Sequence, residues 1–164
     1  MTQVSHSRAE GFLLCERKDY YGYRLKLKRK KESDSLALGS AAHEALDTFY
    51  QTILSEGGDT VKGQRAAFDS AAKAARNRVA ELYAQGYSDG APNRWKLHEV
   101  IEDYLEHEPF VLHGYRILAS EFEAHLDMGE GITTLFRVDL LVQDVAGRKA
   151  VVDHKVAFGF VYSV

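Results

Sequence analysis

The stretch Ala150-Val151-Val152-Asp153-His154-Lys155 sets an acid, a histidine and a lysine directly after an apolar run, fourteen residues beyond Asp139. Read as a strand, its side chains alternate between faces, so Asp153 and Lys155 share one side and His154 points to the other. Asp139 lies in a second stretch of strand character, Phe136-Arg137-Val138-Asp139-Leu140-Leu141-Val142. Two strand-borne carboxylates and a lysine make a compact site for a divalent cation and an attacking water.

A carboxylate inside so apolar a strand is costly unless it is paired or binds metal. For Asp139 the pairing alternative is Arg137, its same-face neighbour two residues back. For Asp153 and Lys155 it is a mutual salt bridge on an exposed face. Val151 and Val152 before them, and Val156, Ala157 and Phe158 after them, argue for a partly buried setting.

Outward from this stretch, residues 115 onward read as three strands joined by the turns Gly129-Glu130-Gly131 and Asp144-Val145-Ala146-Gly147. Leu118, Phe122, Ala124 and Leu126 alternate with Glu121, Glu123 and His125. Ile132, Thr134, Phe136, Val138, Leu140 and Val142 form one face of the second strand. The third is expected over residues 150–156.

The first 109 residues read as helical. Ser7-Arg8-Ala9-Glu10 has the capping-box pattern, and Phe12, Leu13, Leu14, Tyr20, Tyr21 and Tyr23 follow as anchors. Leu38, Ala42, Leu46, Phe49 and Ile53 recur at helical spacing in residues 36–54, which Gly57-Gly58 ends. A long alanine-rich helix is expected over residues 61–85, a break over 86–93, and a fourth helix over 95–107. The expectation is one α/β domain over residues 1–164, with a helical part (1–109) followed by a mixed sheet of at least three strands (110–164).

Two residues in these elements add to the site. His43 lies beside the apolar stripe of the second helix, where a lone histidine is usually a core or boundary residue. Gly39, one turn earlier, costs about 1 kcal/mol in a helix interior relative to alanine, which close approach of a backbone or ligand would explain. Glu121 is an acid on a neighbouring strand, or else part of a solvent face with Glu123 and His125.

A hydrophobic share of 45% and a charged share of 27% describe an ordinary globular chain. No apolar stretch approaches the ~20 residues that cross a membrane. The start carries no apolar signal core, so secretion is not expected; the lone cysteine fits a reducing cytoplasm, and the expected setting is the cytoplasm, with a bacterial or phage-encoded chain. One cysteine, Cys15, allows no internal disulfide. Residues 1–31 hold nine Lys and Arg against three Asp and Glu, an excess of +6 that leaves −9 for the rest. The excess peaks at Arg24, Lys26, Lys28, Arg29, Lys30 and Lys31, which suits a polyanion or simply a solvated face. A phosphate-binding Gly-Lys-Ser/Thr loop, a zinc-protease helix, a four-thiolate zinc site and a nucleophile elbow are all missing from the sequence.

Taken in order, these motifs resemble the RecB-like exonuclease branch of the PD-(D/E)XK nuclease superfamily. The resemblance rests on residues 7–23, with Cys15 before the aromatics, on Gly39 and His43 in a Gly-x-x-x-His helix, on Arg137-Val138-Asp139, and on Asp153-His154-Lys155. It implies a restriction-endonuclease-like core and a metal-dependent DNA nuclease acting in DNA processing, recombination or repair. It implies that His43, Asp139, Asp153 and the His154 carbonyl ligate Mg2+ or Mn2+, that Lys155 activates water, and that Glu121 is an accessory acid. It also implies DNA as partner, with a helicase or recombination protein beside it. The branch's Gln-x-x-x-Tyr helix is not found after Lys155, so a C-terminally incomplete domain is expected. Three cysteines of an iron–sulfur variant are lacking, so no cluster is expected and Cys15 is read as a buried structural thiol. The alternative is a catalytically weak module of the same fold that binds nucleic acid or a partner.

Overall fold

A computed structural model describes residues 2–5, 8, 12–27, 34–88, 96–107, 109–130, 132–157 and 160–163. Its architecture is mixed α/β: one short strand opens the chain, then comes the helical region, then the remaining strands, in keeping with the expected helical region followed by a mixed sheet. The chain divides into two compact units: residues 1–32 with 123–137, and residues 33–122 with 138–164.

The second unit carries the core. Helix α2, Asp34–Gly57, begins two residues before the expected start and ends three after the expected end. The stripe Leu38, Ala42, Leu46, Phe49 and Ile53 is buried as its spacing demands, together with Ala41, Ala45 and Tyr50. Gly58, at φ +61°, closes the helix in the left-handed conformation that glycine tolerates.

The expected long third helix is two, α3 Val61–Ala66 and α4 Phe68–Ala84, broken at Ala67. The cause lies in Gln64, which is wholly buried. Its amide nitrogen donates to the carbonyls of Gly58 at 2.9 Å and Ile117 at 2.8 Å, and its oxygen accepts from Ile117 N–H at 2.8 Å. These bonds fix the direction of α3 independently of α4. A side chain at Gly57 would collide with the Gln64 backbone, so glycine permits the contact. Ala71, Ala75, Val79 and Leu82 of α4, and Leu97, Val100, Ile101, Tyr104 and Leu105 of α5, Leu97–His107, complete the helical core. The break at residues 89–93 and Trp95 lie outside the described residues.

Strand β2 spans Arg116–Asp127 and β3 spans Ile132–Gln143. The expected alternation in β2 does not hold. Ile117 and Ser120 are buried, whereas Phe122 and Leu126 are exposed. Glu121 sits at φ +49°, and this left-handed residue shifts the pleat by one position. Strand β4, Lys149–Val152, pairs antiparallel with β3, Leu140 opposite Val152. The expected third strand is then interrupted at Asp153. Strand β5, His154–Ala157, pairs instead with β6, Phe160–Ser163.

In the first unit, β1, Thr2–Ser5, runs parallel to the start of β3, which makes the sheet mixed. A short helix α1, Glu16–Asp19, leads into a wide turn, Tyr20–Arg24. Arg8 bonds Asp19 at 2.8 Å and lies 5.4 Å from the Tyr23 ring centre. The expected cap at Ser7 lies outside the described residues. Phe12, Leu13, Leu14, Tyr20, Tyr21 and Tyr23 are exposed, so they do not act as core anchors here. Cys15 is exposed too, which corrects the expectation of a buried thiol. It stands in extended backbone between helical turns whose own flanking residues face outward.

Candidate active site

Helix α2 supplies His43. It stands next to buried Ala42 at the edge of the stripe, with 31% of its side chain exposed. The described protein leaves open space around Gly39, where an added Cβ meets nothing within 4 Å. Close approach of another backbone therefore does not account for that glycine.

Strand β3 supplies Asp139, one residue before fully buried Leu140. Its carboxylate Oδ2 lies 3.5 Å from His43 Nδ1. The same oxygen accepts a 2.6 Å hydrogen bond from the backbone N–H of His154. This bond explains why the strand breaks at Asp153. The ladder with β3 ends at Val152, and the next N–H is held by a side chain rather than by a strand partner.

His154 is 2% exposed. Its Nε2 lies 3.1 Å from the Tyr104 hydroxyl, which bonds in turn to the Tyr50 hydroxyl. The imidazole stacks on Tyr50 at 6.1 Å and meets Tyr104 edge-on at 5.5 Å. Burial, and then the nearby His43, push its pKa down to about 4, so it is neutral at neutral pH. Burial also pushes the Tyr50 phenol up.

Asp153 and Lys155 point the other way, as strand alternation predicts. Their side chains pair at 2.7 Å and are 52% and 63% exposed. The Asp139 and Asp153 carboxylates lie close enough to share a hydrogen bond, but their surroundings pull them apart. Burial raises Asp139, against the His154 N–H bond and His43. Burial also acts to raise Asp153, but the Lys155 ammonium outweighs it and holds that carboxyl below its usual range.

Glu121 joins the same pocket from β2. One ligand atom each from His43, Glu121 and Asp139 lies within 4.8 Å of the others. Its left-handed backbone is strained by about 1–3 kcal/mol for a residue with a side chain, and such strain collects at functional sites. The pocket is also lined by Leu46, Asp47, Tyr50, Ser120 and His154.

Sequence reasoning named His43, Glu121, Asp139, Asp153, His154 and Lys155, and the structure brings all six to one end of this unit. It missed Tyr50, Tyr104 and Asp47. Asp47 had a signal, since it follows His43 by one helical turn. Tyr104 had none, because its contact with His154 spans fifty residues. Of the basic run, Arg24 and Lys26 are exposed, and Lys28, Arg29, Lys30 and Lys31 lie outside the described residues. Among the described residues no helix is long and apolar enough to cross a membrane.

Two acids and an imidazole thus come together from three separate elements, with buried His154 beneath Asp139 and the Asp153–Lys155 pair beside it. No curated protein matches the chain in sequence. The sequence model of the PD-(D/E)XK nuclease superfamily matches residues 3–157. With its acids and lysine in that order on β3 and after β4, the chain belongs to the PD-(D/E)XK nuclease superfamily.

Proposed function

We propose that this chain is a Mg2+- or Mn2+-dependent deoxyribonuclease of the RecB-like type, acting as an exonuclease in DNA processing, recombination or repair. The observation that carries the reading is the convergence of His43, Glu121 and Asp139 in a chain of this superfamily. Donors around a six-coordinate cation at about 2.1 Å lie up to about 4.2 Å apart. The ligand atoms of His43, Glu121 and Asp139 lie within 4.8 Å of one another, close to that span, and two carboxylates with an imidazole are a donor set that fits such an ion. The two carboxylates suit Mg2+, and the imidazole shifts preference toward Mn2+.

In this reading His43, Asp139, Asp153 and the His154 carbonyl hold the ion, and Glu121 adds a further carboxylate. A bound divalent ion supplies Lewis-acid polarisation of the phosphate. Lys155, as an ammonium beside Asp153, orients the attacking water. An exposed pair such as Asp153–Lys155 contributes only about 0.2–1 kcal/mol to folding, which leaves the lysine free for chemistry. The His154 imidazole stays neutral among the tyrosines, and the backbone N–H of His154 holds the Asp139 carboxylate, which lies beside His43.

The test is cleavage of end-labelled linear DNA and of closed circular DNA, each with Mg2+ or Mn2+. Exonuclease action shortens the linear DNA and spares the circle. Cutting of the circle would replace the exonuclease reading with an endonuclease. DNA binding without cleavage in either metal would favour the binding module.

A further inference from the structure

We propose that Asp47 is a positioning residue, which holds Ser120 so that the Glu121 carboxylate meets His43 and Asp139. The inference rests on the reading that these three groups bind the divalent ion.

Helix α2 presents His43, Asp47 and Gln51 one turn apart on a single face. His43 faces the acids. The other two grip strand β2 at one residue. Asp47 Oδ1 accepts from the Ser120 hydroxyl at 2.7 Å and from the Gln51 amide at 3.3 Å. That amide also reaches the Ser120 carbonyl at 3.3 Å. Ser120 is thus held at both its side chain and its backbone, and it is buried.

The carbonyl of Ser120 belongs to the peptide plane that enters Glu121. Fixing that plane fixes the axis about which Glu121 adopts φ +49°. A non-glycine residue stays in this conformation only where its surroundings over-determine it. The grip from α2 provides that. Without it, β2 relaxes to an ordinary pleat and Glu121 turns out of the pocket. Asp47 also lines the pocket, and its Oδ1 is engaged by Ser120 and Gln51.

The experiment is calorimetric titration of Mn2+ into the full chain and its variants, with thermal melts in EDTA as the folding control. Asp47→Ala is expected to weaken Mn2+ binding by about 10–100-fold, the usual cost of losing a group that orients a ligand. Asp47→Asn keeps an acceptor oxygen for Ser120 and should restore most of that loss. Ser120→Ala deletes one hydroxyl and carries the same test if Asp47→Ala fails to fold. Glu121→Gln should weaken binding at least as much as Asp47→Ala. The double variant Asp47→Ala/Glu121→Gln should be no weaker than Glu121→Gln alone, because both act through one carboxylate.

Wild-type Mn2+ affinity in both Asp47→Ala and Ser120→Ala, beside a weakened Glu121→Gln, overturns the positioning role and leaves the metal reading intact. Asp47→Asn as damaging as Asp47→Ala makes Asp47 a ligand instead. A wild-type chain that binds no Mn2+ overturns the metal reading, and the positioning role with it.

Discussion

Asp139 and Asp153 are neighbours in opposite environments. Asp139 is 16% exposed, bonded to a backbone N–H and pushed up by burial. Asp153 is 52% exposed, paired with a lysine and held down by it. Their neighbours repeat the contrast, with His154 sealed among tyrosines and Lys155 in solvent. The floor of the site is built like a core and its rim like a surface. Floor substitutions should therefore disturb folding as well as function, and rim substitutions should disturb function with little effect on folding.

Asp139→Asn gives the largest expected effect. It removes the anionic charge nearest His43, and cleavage and Mn2+ binding should both fall to background. Retained Mn2+ binding in this variant, measured by calorimetry, would move the metal away from the floor and break the contrast. Lys155→Ala comes next. Loss of a group that positions the attacking water should cost about 10²-fold in rate, while the melt should shift by the equivalent of less than about 1 kcal/mol. A collapse of the melt would show that the rim is structural after all.

The third effect is on stability. Metal-free His154 titrates at about 4 in the folded chain, against about 6.5 when unfolded. Between these values the unfolded chain binds a proton that the folded chain refuses. Stability therefore falls as pH drops from about 6.5 to about 4, and the loss levels off below. The gap is worth about 3 kcal/mol. Denaturant melts in EDTA at pH 7 and pH 4.5 should show it, and His154→Asn should remove most of it. Tyr104→Phe, which deletes the bond to His154, should cost about 1–3 kcal/mol at pH 7. An acid response unchanged by His154→Asn would mean the histidine is not the floor's weak point.

The smallest effect sharpens the contrast by changing a run remote in sequence from both acids. Replacing Lys28, Arg29, Lys30 and Lys31 with alanine should flatten the salt dependence of DNA affinity by about 0.7–0.9 per lost phosphate contact. Cleavage at saturating DNA should stay near normal. A salt titration in Ca2+ checks it, and equal slopes would leave the run a solvated face.

The fold class was legible because the α2 stripe and the β3 run have clean periods. The positions of Leu38, Leu46, Phe49, Leu140 and Val142 follow from spacing alone. The breaks were not legible. Ala67 ends a helix because Gln64 is committed to Ile117 fifty-three residues away, and local propensity carries no trace of that. Asp153 ends a strand because a side chain on β3 captures the next N–H. The six candidate residues stand out by type and order, and the structure places them near one another. Their division into floor and rim was not legible, because it depends on tyrosines from α2 and α5 that only the packed chain brings to His154. Cys15 misled because a lone cysteine is usually buried, and its helical turns face outward here.

Gln64 has a consequence beyond steering α3. In the strand order β1-β3-β2, strand β2 is an edge. Edge strands offer unpaired N–H and C=O groups on which another chain can polymerise. At Ile117 both groups are already bonded to the Gln64 amide, which imitates the peptide of a neighbouring strand. A second chain laid along β2 meets no free partner at that residue. One glutamine thus shields the start of the edge from aggregation.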